Sequence, residues 1–268
     1  MIDLQRIAQQ RLQTEPYRWA VIDGLFSAPD GVALAGSYPC DHFKRLADYG
    51  GEKDYEYEAR ALVDMPAHTV SRPEELSAAW RALADDLLSP AYRAAMSALI
   101  GVDLSEAPFE VNVFHYPPGG SMGAHPDLRD KIVTHVLYFN TSWNDADGGC
   151  LSILGSRDER DIVRTVSPIV GNSAVIVRSD DSWHAVSPVA KSCQRSRRSV
   201  TATFYRPGSV STMWPPGDAT PLHTYEPPAI APAATVPAAA ALAAAGPATM
   251  AAGATTPPAK SWWRRLMS

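Results

Sequence analysis

The sequence has little cysteine. Cys40, Cys150 and Cys193 stand far apart, and no C-x-x-C occurs. An odd count at such spacing argues against a disulfide framework or a zinc knuckle, and a reducing, cytoplasmic setting is the simplest expectation. Long apolar runs are also missing. No stretch suits a membrane-crossing helix, and the start, Met1-Ile2-Asp3-Leu4-Gln5-Arg6, lacks the apolar run of a secretory leader. An excess of positive charge is missing too: 24 Lys and Arg against 29 Asp and Glu leave a net charge of −5. That argues against a nucleic-acid backbone as the main partner, because such binding relies on clustered cations.

What is present suits one sizeable domain with extensions. Hydrophobic residues make up 46% of the 268, although an Ala-rich tail inflates the figure. Residues 2–12 read as a short helix and 19–25 as strand-like. Residues 36–62, charged and aromatic, read as irregular, either a solvated loop or a flap over a pocket. Ser71-Arg72-Pro73-Glu74 carries a helix-start pattern of Ser, then Pro, then Glu three residues on. Leu76, Trp80, Leu83 and Leu87 follow at helical spacing. Ser89-Pro90 restarts a second helix, and both are expected to pack on the back of a sheet.

From residue 109 the period changes. Short apolar, β-branched runs near 109–116, 132–140, 150–154, 162–166, 173–178, 184–189 and 197–206 are separated by Gly, Pro, Asn and Asp. This predicts a mainly β architecture with flanking helices, of the jelly-roll kind. The expected organisation is a helical and mixed region over 1–108, a β core over 109–210 and a connecting segment over 211–225. An Ala/Pro-rich linker follows over 226–259, and a Trp/Arg-containing peptide ends the chain over 260–268. The linker composition predicts disorder. The terminal Trp-Trp-Arg-Arg could dock a partner or a membrane surface.

His125-Pro126-Asp127 and His184, fifty-seven residues beyond Asp127, are the informative set. In extended chain, residues i and i+2 point the same way, so His125 and Asp127 can face one ion. Pro126 biases His125 away from helix. Two imidazoles and one carboxylate suit a non-haem Fe(II) that keeps open coordination positions.

The stretch 109–207 resembles the 2-oxoglutarate/Fe(II)-dependent oxygenases, in particular the prolyl 4-hydroxylase-like branch. The resemblance rests on Tyr116-Pro117-Pro118-Gly119 before the His-Pro-Asp, then Tyr138-Phe139-Asn140, Trp143 and Gly148-Gly149-Cys150-Leu151. It closes with His184-Ala185-Val186-Ser187-Pro188 and Arg197-Arg198-Ser199-Val200-Thr201. It implies a double-stranded β-helix in which His125, Asp127 and His184 ligate iron. It further implies 2-oxoglutarate as co-substrate, O2, and ascorbate as an additional cofactor. A basic residue on the last strand is required for the distal carboxylate of the co-substrate, and Arg195, Arg197 and Arg198 are available. Strand parity favours Arg197, which shares a polar face with Ser199, Thr201 and Thr203; Arg198 is the fallback. The same reasoning turns Tyr138 and Tyr116 inward toward the co-substrate, with Thr201 beside them. Leu151 is assigned to an apolar wall. His135 and His115 fall on the opposite faces and read as structural.

The chemistry so implied is hydroxylation of a substrate C–H bond with release of succinate and CO2. The alternative is a non-enzymatic, cupin-like jelly roll that binds a metal or a sugar. An interaction protein with a dead catalytic domain is a third reading, against which the intact triad and arginine speak. Peptidyl proline and small molecules are equally open as substrates. The acidic, aromatic segment 52–60 would suit a cationic or aromatic substrate if it reaches the site.

Overall fold

A computed structural model of the chain describes residues 1–50 and 53–227. The expected linker and terminal peptide lie outside the described residues. In chain order the elements are α1 (Leu4–Gln9), β1 (Trp19–Ile22), α2 (Ala28–Gly36), β2 (Lys44–Asp48), β3 (Tyr55–Asp64) and β4 (Thr69–Val70). There follow α3 (Ala78–Leu88), α4 (Pro90–Ile100), β5 (Phe109–Tyr116), β6 (Ser121–His125), β7 (Lys131–Tyr138) and β8 (Leu151–Leu154). The last four are β9 (Ile162–Val166), β10 (Ser173–Val177), β11 (His184–Val186) and β12 (Arg197–Tyr205).

The strands pair antiparallel in the order β1-β10-β7-β12-β5-β3-β6-β11-β8-β9, with β2 and β4 attached to β3. This is the nearly closed antiparallel barrel of a double-stranded β-helix, as expected. β3 is the seam. Its residues 58–63 pair with β5, and Tyr55 and Glu56 pair with Met122 and Ser121 of β6. The larger sheet and the smaller sheet are thus joined through one strand.

Alternation decides which face of each strand meets which neighbour. Val200, Ala202 and Phe204 of β12 and Val133 and Leu137 of β7 pack against Trp80, Leu83, Leu87, Tyr92 and Met96 of α3 and α4. The intervening residues face the barrel interior. His135 sits with the helix-side set, where Tyr92 meets its Nδ1 at 2.9 Å. His115 is buried against Tyr38, Phe43 and Tyr225, outside the barrel interior.

Two readings of the sequence are corrected. Residues 36–62 are not irregular, because they contain β2 and most of β3. Glu56, Glu58 and Arg60 break up the apolar signal, yet Tyr57 and Ala59 alternate with them and are buried. The helix start is also displaced. Ser77, not Ser71, caps α3, with its hydroxyl accepting from the Trp80 amide. Arg72 adopts a left-handed backbone (φ 50°), and Pro73–Glu75 forms only a single 3-10 turn. Ahead of both, α2 carries a helix that the sequence reading does not anticipate. Among the described residues, no helix is long and apolar enough to cross a membrane.

Candidate active site

His125 ends β6 and His184 opens β11, and the two are register partners across the small sheet. Their ring centroids lie 4.4 Å apart. Asp127 follows two residues on, and one donor atom from each of His125, Asp127 and His184 lies within 4.8 Å of the others. All three side chains are buried.

The ring tautomers follow from their neighbours. His125 Nδ1 lies 2.9 Å from the Gly123 carbonyl, and His184 Nδ1 lies 2.8 Å from the Ser182 carbonyl. A carbonyl can only accept, so each Nδ1 carries the proton and each Nε2 keeps its lone pair. Burial holds both imidazoles below their ordinary pKa, and in His125 the neighbouring His184 adds to the effect. Burial would raise the Asp127 carboxyl, but the Lys131 ammonium outweighs it and holds the group well below the usual carboxylate range. Lys131 Nζ donates to Asp127 Oδ1 at 2.6 Å, and Thr134 Oγ1 donates to Oδ2 at 2.8 Å. Two neutral imidazole nitrogens and one oriented carboxylate make a donor set that fits a divalent iron.

The cluster opens into a cavity of about 410 Å³. Its wall includes Tyr116, Leu151, Arg197 and Thr201 as well as the three clustered residues. Arg197 is 2% exposed. Its Nη1 donates to Ser199 Oγ at 2.7 Å, its guanidinium lies 4.7 Å from the Tyr116 ring centre and 5.3 Å from that of Tyr138, and its Nε has no hydrogen-bond partner. Among the described residues it forms no ion pair with a carboxylate. The Tyr138 hydroxyl is likewise buried and without a partner, behind the cavity wall. An unpaired buried guanidinium is costly, and a carboxylate delivered by a ligand would satisfy it. The cavity therefore fits 2-oxoglutarate at one end as well as iron at the cluster.

Neither other arginine competes. Arg198 points to the helix side, donating to the Ala35 carbonyl and lying over Tyr38, so the fallback is set aside. Arg195 is exposed and donates to Ser142. A turn in which the Cys193 amide bonds the Ala190 carbonyl absorbs part of the long gap between His184 and Arg197.

Several lining residues are not legible from the motif. Lys131 follows Asp127 by four residues, with nothing in the sequence to mark it. Lys53, Tyr55 and Tyr57 bring the 52–60 segment to the cavity. The segment expected only to connect, 211–225, contributes Thr212 and Met213 to the wall. Trp214 of that segment donates to Asn112 Oδ1 at 2.7 Å. Glu110 and Asn112 line the cavity on the same face of β5 as Tyr116, and parity alone would have identified them.

Fold and site together define a class, the iron- and 2-oxoglutarate-dependent oxygenases. Residues 111–206 match the family model described as the 2OG-Fe(II) oxygenase superfamily. Among solved structures, a prolyl 4-hydroxylase from Phytophthora capsici is similar at 18% identity and a TM-score of 0.52, over 80% of this chain and 68% of its own. A prolyl-4-hydroxylase from Pseudomonas putida is similar at 21% identity and a TM-score of 0.49, over 76% of this chain and 97% of its own. A prolyl hydroxylase from Trichoplax adhaerens, in complex with a hypoxia inducible factor peptide fragment, is similar at 17% identity and a TM-score of 0.49, over 75% of this chain and 88% of its own. At 18% identity the likeness to the Phytophthora structure is one of fold. No curated protein matches the chain.

Proposed function

We propose that this protein hydroxylates a C–H bond of a peptide or small molecule, consuming 2-oxoglutarate and O2 and releasing succinate and CO2. The observation that carries the reading is the pairing, in one cavity, of a three-donor cluster with a buried guanidinium that, among the described residues, forms no ion pair with a carboxylate.

His125, Asp127 and His184 would hold the iron through two Nε2 atoms and a carboxylate oxygen. Bound iron would activate O2, with 2-oxoglutarate giving up two electrons as it becomes succinate and CO2 and the substrate C–H giving up the other two. The chain's own residues do the positioning. The Gly123 and Ser182 carbonyls fix the imidazole tautomers, and Lys131 and Thr134 aim the Asp127 carboxylate. Arg197, with Ser199 beside it, would bind the distal carboxylate through its planar fork, and Tyr138 would back the guanidinium, its ring centre 5.3 Å away. Tyr116 covers the guanidinium, Thr201 offers a hydroxyl to the same wall, and Leu151 excludes water from the co-substrate chain.

The test is succinate formation from 2-oxoglutarate under air, with and without Fe(II), set against His184→Ala. Iron-dependent succinate that the variant does not make supports the reading. Stoichiometric metal binding by a protein that ignores 2-oxoglutarate, in activity and in a calorimetric titration, would overturn it in favour of a metal-binding jelly roll without catalysis.

A further inference from the structure

The cavity has a second buried charge that the chemistry above does not use. Glu110, near the start of β5, is 3% exposed and lines the chamber. Its Oε2 accepts from Asn112 Nδ2 at 3.0 Å and from the Tyr205 hydroxyl at 3.3 Å. Its Oε1 is buried with no hydrogen-bond partner. Among the described residues, no Lys, Arg or His nitrogen forms an ion pair with it. Asn112 is itself fixed, because Trp214 Nε1 donates to its Oδ1. The carboxylate is thus held in place by neutral donors while half of its acceptor capacity stays open.

Its position separates it from the co-substrate end. On β5, Glu110, Asn112, Phe114 and Tyr116 share one face, so Glu110 and Tyr116 lie about 20 Å apart along the strand at ~3.3 Å per residue. Tyr116 is the register partner of Arg197, and Glu110 is the partner of Thr203. Thr203 in turn pairs with Thr134, whose hydroxyl touches Asp127. Glu110 therefore lies two strands from Thr134, about 10 Å in inter-strand spacing. One chamber holds an unpaired cation at one end, an unpaired anion toward the other, and the donor cluster opening into the same space. An aromatic wall runs from the cation end toward the middle of the chamber, with Tyr57 at 5.4 Å from Phe114 and 5.5 Å from Tyr116.

We propose that Glu110, with Asn112 and Tyr205, is the specificity pole of the substrate chamber and receives a cationic nitrogen of the substrate. The substrate class is an amine-bearing compound whose carbon frame extends from Glu110 toward Phe114 at the near edge of the aromatic wall. This deepens the oxygenase reading and rests on it for the word substrate. The carboxylate supplies the anion that an ammonium or guanidinium group needs on leaving water, and the wall offers π faces to the adjoining carbons and charge. Glu110 is a binding residue and takes no part in proton or electron transfer.

The test compares 2-phenylethylamine with 2-phenylethanol, two probes of nearly equal shape that differ in charge, by calorimetry or saturation-transfer NMR on the full chain. The native protein should prefer the amine on the order of tenfold or more. Glu110→Gln, which keeps shape and hydrogen bonding, should bring the preference close to one. Equal binding of the two probes, or no binding of either at millimolar concentration, overturns the proposal in the native protein alone, whatever the folding of the variant. A preference that survives intact in a folded Glu110→Gln overturns it as well. A 2-oxoglutarate titration of the native protein reads the parent assignment separately. Failure there with amine selectivity intact removes the co-substrate and leaves the cation site, while the reverse outcome removes the cation site alone.

Discussion

Single residues account for most of the chemistry proposed here, and they differ in how visible they were. The H-x-D and the distant His could be read because extended chain turns alternate residues to one side. Arg197 could be separated from Arg198 because one-residue shifts reverse faces on a strand, and the structure has Arg197 in the chamber and Arg198 against α2. Lys131 and Thr134 could not be ranked, since their importance lies in the hydrogen bonds they give Asp127. Two predictions belong at this scale. Thr134→Val removes the donor to Asp127 Oδ2 and should weaken iron or Co(II) affinity about tenfold, in line with other losses of a ligand's supporting hydrogen bond. Competition against a chromogenic chelator would measure it, and an unchanged affinity would show that Lys131 alone suffices. Arg197→Met should abolish measurable 2-oxoglutarate binding in calorimetry while metal affinity stays within a few-fold, because the guanidinium touches none of the three clustered residues.

At the scale of elements, the catalytic-core strands were legible from residue 109 onward and the earlier ones were not. β5, β7, β8, β9, β10, β11 and β12 each carry an apolar, β-branched run between turn residues. β3 hides its alternation behind glutamates and an arginine, and β6, Ser-Met-Gly-Ala-His, is too small in side chain to register as a strand. The loop into β8 shows how narrowly such elements are fixed. Gly148 has φ 68°, and a Cβ built there would stand 2.0 Å from the Pro188 carbonyl oxygen. Gly148→Ala should therefore destabilise the fold by ~2 kcal/mol or more, through positive φ and a clash with rigid backbone. Urea unfolding followed by tryptophan fluorescence reads this directly. A change below ~0.5 kcal/mol would mean the loop can move away from β11.

Across the whole molecule, two histidines on strand faces turned away from the chamber tie stability to pH. Burial holds His115 and His135 to a pKa of about 3, against an ordinary 6.5. His115 Nε2 donates to the Pro39 carbonyl at 3.1 Å and its Nδ1 accepts from Ser196 at 2.7 Å, while its ring stacks on Tyr225 at 3.8 Å. Both rings are neutral in the folded protein. Once pH falls below 6.5 the unfolded chain takes up protons that the folded chain refuses, so stability declines from 6.5 down toward 3 and these two residues add nothing further below that. Melting temperature against pH should show this acid-side loss, and a His135→Phe variant that folds should show a shallower one. Equal slopes in the two proteins would count against His135 as a source.

The strand order also has a mechanical meaning. The two sheets are bound to each other along β3 and β6, whereas β1 and β9 end the strand order on the other margin. On the β1 side, the Tyr17 hydroxyl donates to the Trp183 carbonyl at 2.8 Å, one residue before His184. The barrel is built like a book with a hydrogen-bonded spine and side-chain clasps, since Arg178 Nε also donates to the Asp127 carbonyl at 3.3 Å. Strain across it would be relieved at the clasps before the spine, because isolated side-chain bonds give way more readily than a paired strand. The covers would then part at the β1 and β9 margin, two strands beyond the β11 that carries His184.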